Sequence, residues 1–170
     1  LAAPSVLEGV FGVGFEDAEN KDVRGERASM VPGTNEIYKY TGLNEDQRKS
    51  LSESDTHWFV YRYADVLLMA AEALVRSGGS ESTARNYLNQ VRARVGLAAV
   101  TATGNALLEA IYTERRMELA LEGQRFFDLV RTGRGTQIPG FTTGKNEVFP
   151  IPLEEIQFSQ GNWKQNDKYN

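Results

Sequence analysis

There is no cysteine among the 170 residues. That absence removes disulfides, thiolate nucleophiles and Cys-based zinc sites together, while leaving the redox compartment open. Histidine is nearly absent too, with His57 standing alone. No concentrated Lys/Arg block occurs, and the net charge of -4 offers no general attraction to nucleic acid or anionic lipid. Long apolar runs are missing as well. The longest, YADVLLMAAEALV, is interrupted by Asp65 and Glu72 and falls short of the ~20 apolar residues that span a bilayer. The N-terminus has no initiator Met, no basic n-region and no cleavable signal pattern, so it reads like the inside of a longer protein. What is present, 41% hydrophobic and 25% charged residues, is the composition of a globular domain with room for one proper core.

Two zones differ in character. Residues 1–58 are rich in Gly, Asp, Asn and Ser, with apolar bursts such as EIYKYTG that suit strands or irregular segments. Residues 59–170 have helical period. RYADVLLMAAEALVRSGG places Tyr63, Val66, Leu67, Ala70, Ala71 and Leu74 on one predicted face, with Gly78 and Gly79 as the stop. Ser80 or Ser82 can cap a second helix whose apolar face is Ala84, Tyr87, Leu88, Val91 and Val95, closed by Gly96. Small residues at Ala64, Ala71 and Ala84 suit close approach. The stretch from Tyr63 to Gly96 matches the ~34 residues of a tetratricopeptide unit, which cannot bury its open face alone and must stack on something.

A third helix is expected from near Asn105 into TERRMELALEGQRFFDLVRTG, kinked at Gly123 and ended by Gly133. Beyond it, Pro150 and Pro152 fix an extended VFPIP before a helical turn at LEEIQ and a polar tail. The predicted fold class is therefore mainly α: a tetratricopeptide-like hairpin plus a long third helix, with irregular and short extended segments.

Within the third helix, Glu114, Glu118 and Glu122 recur every four residues on one face. A carboxylate-bridged metal site would begin from that arrangement, but it also needs Glu-x-x-His pairs on partner helices. A structural ion-pair network of Arg115, Arg116, Glu118, Glu122, Arg125 and Asp128 is the expected reading, with Arg115–Glu118, Glu122–Arg125 and Arg125–Asp128 meeting at helical spacing. Paired carboxylates could serve glycoside hydrolysis, yet arginines alternating with them would hold their pKa values down and disable the acid role. Nothing near His57 marks a nucleophile or an orienting acid. The loops GVGFED and TGRGTQIPG match no phosphate-binding fingerprint. No catalytic motif, metal site or cofactor site emerges.

The blocks RYADVLLMAAEAL, YLNQVRARVGL, AIYTERRMELALEGQRFFDLVRTG, FPIPLEEI and NWKQNDKY, in that order, closely resemble the C-terminal part of the SusD/RagB family. The resemblance covers Arg62 to Tyr169 and extends to DVRGERASM and IYKYTG, which look like the family's Asp-x-Arg segment and the Lys-Tyr after it. It implies a non-catalytic lipoprotein, surface-exposed on the outer membrane, that binds oligosaccharide and delivers it to a SusC-like TonB-dependent transporter. It also implies that the charged seam is scaffold. The aligned motifs carry no sugar contact that transfers residue by residue. The physics of sugar recognition nominates Trp58, Tyr61 and Trp163, flanked by Asp55, His57, Asn162 and Gln165, as substrate-binding candidates. For Trp163 the favoured reading is that it packs the tail back onto the helices, and Trp58 could equally staple the first helix. The competing class is a helical-repeat protein interaction module with no sugar site, and a small glycoside hydrolase stands third.

Overall fold

The structure, a computed structural model, describes Asp22, Arg24, Ile37, Lys39 and residues 59–169. The irregular segment expected over residues 1–58 therefore lies outside the described residues except at those four positions. The chain divides into two compact units, Leu1–Glu122 and Gly123–Asn170. Among the described residues the elements are helical, and no helix is long and apolar enough to cross a membrane.

In the first unit, helix α1 runs Tyr63–Arg76 and α2 runs Glu81–Arg94. Gly78 adopts φ 71°, a left-handed conformation open to glycine without a Cβ penalty. The Gly79 N–H then closes the helix end by donating to the Leu74 carbonyl at 2.8 Å. Ser80 starts α2, its Oγ accepting from the Thr83 N–H at 3.3 Å, so Ser80 rather than Ser82 is the cap. Four of the five residues expected on the apolar face of α2, Ala84, Leu88, Val91 and Val95, are buried, and Tyr87 is half-buried.

The face of α1 differs from the expected one. Tyr63 and Val66 are 74% and 46% exposed, whereas Leu68, outside the expected stripe, is 0% exposed. The segment is apolar nearly all round, so periodicity leaves several stripes in competition. The charges decide. Asp65 and Glu72 are both buried, and a buried carboxylate must face a cation or a donor. Asp65 accepts from Arg115 Nη1 at 2.7 Å, while Glu72 accepts from the Tyr112 hydroxyl at 3.4 Å and lies 3.5 Å from Arg76 Nη1. Turning Asp65 and Glu72 inward carries Leu68 into the core and Tyr63 out.

The connection after α2 is held by α2's own polar side chains. Asn89 grips Val100 from both sides, accepting from its N–H at 2.8 Å and donating to its carbonyl at 3.1 Å. Arg92 Nε donates to the Ala98 carbonyl at 2.9 Å, and the Gly104 N–H donates to Glu81 at 3.0 Å. These bonds return the chain so that α3, Gly104–Glu118, lies against both earlier helices. Leu107 and Ile111 of α3 complete a core with Leu67, Leu68, Ala71, Ala84, Leu88 and Val91.

The third helix is not continuous to Gly133. It stops at Glu118, and α4 begins afresh at Arg125. Leu121 adopts φ 67° and Gly123 φ 77°, conformations that no α-helix contains. A break of this kind must satisfy the orphan carbonyls at the end of α3. Lys39 Nζ donates to the carbonyls of Glu118 and Ala120, each at 2.8 Å, and Arg62 Nη2 donates to that of Glu118 at 2.9 Å. Cations at a helix C-terminus also complement its dipole.

The second unit contains α4 (Arg125–Arg131), a 3₁₀ turn (Gly135–Gln137) and α5 (Leu153–Phe158). Phe126 is its aromatic hub, with ring centroids 5.6, 6.5 and 5.9 Å from those of Phe127, Phe141 and Phe149. Gly135 is required beside this hub because a Cβ there would run into the Phe141 ring. The extended path through Pro152, the helical turn at LEEIQ and the polar tail all stand as read from the sequence.

Substituting Leu88 or Ile111 by Ala, both fully buried, is expected to cost about 2–5 kcal/mol. Phe158→Ala, at a position 81% exposed, is expected to stay within about 0.5 kcal/mol. Urea unfolding of the three variants checks the ranking.

Candidate functional site

Helical spacing of four puts Glu114 and Glu118 one above the other on α3, and the chain past its end brings Glu122 into the same row. Glu114 and Glu118 are 0% and 2% exposed. Carboxylates so placed stay ionised only if cations come to them. Glu114 Oε1 accepts from Arg24 Nη1 at 2.6 Å, and its Oε2 from Arg92 Nη1 at 2.9 Å. Glu118 receives Arg62 Nη1 at 2.8 Å, Arg24 Nη1 at 3.0 Å, and Arg94 Nη2 on both oxygens at 2.7 and 2.6 Å. Glu122 receives Lys39 Nζ at 2.7 Å and Arg62 through Nη2 at 2.7 Å and Nε at 3.0 Å. Asp22 completes the row by accepting from Arg24 Nη2 at 2.6 Å and Nε at 2.9 Å.

These partners come from other segments of the chain. Arg115, expected beside Glu118, reaches to Asp65. Arg116 is exposed. Arg125 and Asp128 lie in the second unit, where Asp128 accepts from Arg131 Nη2 at 2.7 Å. Sequence reasoning missed the cluster's main cations, Arg24, Lys39, Arg62, Arg92 and Arg94. Only the Asp-x-Arg and Lys-Tyr fragments hinted at two of them, and helical spacing has no means of pairing Arg24 with a glutamate ninety residues away.

The electrostatics follow from this geometry. Burial opposes the charge on Glu118, but the Arg62 hydrogen bond and the fields of Arg94, Arg62 and Arg24 outweigh it and hold the carboxyl below its ordinary value. Burial likewise opposes the charge on Arg24, and Asp22 and Glu114 overcome it, raising the guanidinium further. At Lys39 burial wins over Glu122, and the ammonium is pushed down. A carboxyl such as that of Glu118 has no proton to give at neutral pH, so it cannot act as a general acid. Among the described residues, no group of three or more His, Asp or Glu is placed to hold a metal ion.

Of the binding candidates, Tyr61 is 73% exposed in the approach to α1 and Trp163 is 54% exposed. They stand in separate units. Trp58, with Asp55 and His57, lies outside the described residues. The polar tail is tied down by neighbours of Trp163: Gln165 brackets Ile151, accepting from its N–H and donating to its carbonyl, both at 2.8 Å. Asn166 donates to the Phe149 carbonyl at 2.7 Å and Tyr169 to that of Val148 at 2.9 Å. One cavity of about 390 Å³ opens where the start of α1 meets the end of α2, between Tyr63, Leu67, Val91 and Arg94.

A helical hairpin backed by a third helix, with a ladder of glutamates on that helix gathering cations from distant segments, defines a scaffold of the tetratricopeptide-like class. The chain belongs to the SusD family, whose model matches residues 14–147. It is 34% identical over 165 residues to the SusD-like protein P38 of Formosa agariphila, which covers 87% of this chain and 32% of that protein. Its fold is similar to that of a SusD homolog from Bacteroides thetaiotaomicron, with a TM-score of 0.66 and 29% identity over 77% of this chain and 30% of the other. It is also similar to surface glycan-binding protein A from the same organism, with a TM-score of 0.64 and 29% identity over 89% of this chain and 35% of that one. The chain thus spans about a third of the length of these relatives.

Glu118→Ala removes an anion shared by three arginines and is expected to destabilise by about 3–5 kcal/mol, as when a buried pair loses one partner. Because the folded-state pKa of Glu118 is depressed below 4.5, its contribution is fully present above that value and is lost as pH falls through the folded pKa. Thermal unfolding followed from pH 7 to pH 3 should show the parent losing stability below about pH 4.5. The variant should lose less over the same interval.

Proposed function

We propose that the protein is a non-catalytic nutrient-capture protein of the cell surface. It holds an oligosaccharide at the outer membrane, where the parent protein is lipid-anchored, and delivers it to a SusC-like TonB-dependent transporter. The observation that carries this reading is the similarity to surface glycan-binding protein A over 89% of the chain. The absence of catalysis is supported by the glutamate ladder, whose carboxylates are committed to arginine and lysine rather than poised across a cleft. Tyr61 and Trp163, with Trp58 as a third ring, are proposed to stack on the apolar faces of pyranose units. A second reading, a helical interaction module with no sugar site, is favoured by the exposed Tyr63, Val66 and Met69 along α1, at 74%, 46% and 40%.

The test is to incubate the full-length protein with labelled oligosaccharides and analyse what is bound and what is released. Retention of intact ligand is expected, with Tyr61→Ala or Trp163→Ala weakening it by roughly 3- to 10-fold, the worth of one stacking ring. Released cleavage products would overturn the non-catalytic reading. Failure to retain any member of a broad panel would leave the interaction module.

A further inference from the structure

The cavity at the mouth of the hairpin has features that the scaffold does not use. Its apolar lining is Ala64, Leu67 and Val91. Four polar side chains line it as well: Tyr63, Gln90, Arg94 and Arg62, the last already committed to Glu118 and Glu122. Its volume of about 390 Å³ falls within the range of small-ligand sites, which pair an apolar wall with a few convergent polar groups.

Arg94 is the unusual member. Its side chain is 56% exposed, yet it is held in place by two hydrogen bonds from Nη2 to the buried Glu118. An arginine gripped at one nitrogen has lost much of its rotamer freedom, so its remaining donors bind with less ordering cost than those of a free surface arginine. Among the described residues, Nε and Nη1 of Arg94 have no partner, and neither do the Gln90 amide and the Tyr63 hydroxyl. The charge balance at the cavity points the same way. Among the described residues, five cations, Arg24, Lys39, Arg62, Arg92 and Arg94, meet four carboxylates, Asp22, Glu114, Glu118 and Glu122. The excess is positive, and Arg94 is its most exposed member.

From these features we infer that the cavity takes one acidic sugar unit, a pyranose bearing a carboxylate or a sulfate ester. Its anionic group meets Arg94 Nε and Nη1, its hydroxyls meet Gln90, and its apolar face lies against the Tyr63 ring, which is 74% exposed. Charge-assisted bonds to a pre-oriented guanidinium supply the preference for the acidic unit. The inference rests on the proposed glycan-binding function and narrows it to the acidic class.

The experiment titrates the full-length protein with three sets of oligosaccharides matched in length: neutral, uronate-containing and sulfated. The acidic ligands are expected to bind at least tenfold more tightly than neutral ones, with an affinity that falls as salt is raised. Whichever of the two acidic sets binds more tightly identifies the anion. Arg94→Gln should remove most of that advantage. Because Arg94 also holds Glu118, Gln90→Glu supplies the variant that leaves the cluster intact: the added negative charge should weaken acidic ligands severalfold more than neutral ones. Equal affinity for neutral and acidic ligands, unmoved by either variant, would overturn the inference while leaving glycan capture standing. No saccharide binding at all would remove both. Hydroxyl-radical footprinting of the ligand-free protein adds an independent arm: Tyr63 should be labelled and then protected by the acidic ligand. A Tyr63 already protected without ligand would mean that another segment fills the cavity, and the inference would fail.

Discussion

Two glutamates on α3, Glu114 and Glu118, are buried as charges, and the first unit is organised around that fact. An isolated carboxylate in an apolar interior is costly by several kcal/mol even after relaxation. The chain offsets this by bringing in arginines from the start of α1, from the end of α2 and from residue 24, far upstream. None of these cations is a neighbour of the glutamates in sequence. The cluster can therefore form only when all its contributing segments are in place, and each arriving cation makes the remaining carboxylate oxygens less costly to bury. The polar seam is in this way a cooperative lock, added to a hydrophobic core in which, among the described residues, eight buried side chains are shared by three helices.

The chemistry of the guanidinium suits this task. Arg62 spans two carboxylates at once, Nη1 on Glu118 and Nη2 with Nε on Glu122, and Arg24 joins Asp22, Glu114 and Glu118. A planar fork with five donors can bridge in this manner, whereas an ammonium acts as a single point. Among the described residues, the one lysine in the cluster sits where a point charge is apt. Lys39 collects two carbonyls at the frayed end of α3 and the Glu122 carboxylate in one place. The same contacts suit the point where the helix stops: its last carbonyl, that of Glu118, is satisfied by Lys39 and Arg62, and Leu121 and Gly123 turn the chain away with positive φ.

Local physics was the legible part. The glycines after α1 and α2, the serine cap and the apolar face of α2 were all readable, because each depends on residues within one or two turns. The face of α1 was misjudged because its choice between apolar stripes is made by Asp65 and Glu72, whose partners Arg115 and Tyr112 lie some forty to fifty residues on. For the same reason the glutamate ladder was recognised as ion-paired scaffold, yet assigned helical neighbours as partners. The break at Glu118 was read as a kink because Gly123 was visible in sequence, while the capping role of Lys39 was not. The cavity left no sequence signal, since periodicity assigns Tyr63 to the apolar face of the first helix and Gln90 and Arg94 to ordinary surface positions of the second.

The scaffold and the proposed recognition are connected through a single residue. Glu118 is buried and unavailable to any ligand, yet by holding Arg94 at Nη2 it decides where the other donors of that guanidinium point. A free arginine on a helix end would sample many rotamers and lose entropy on binding, whereas one tethered to a buried anion has already lost it during folding. The tether does not consume the positive charge, because among the described residues of the cluster five cations share four carboxylates. A carboxylate that lies outside the reach of the proposed ligand thus sets both the geometry and the residual charge around Arg94. The seam that locks the fold and the edge available to a ligand follow from one electrostatic constraint.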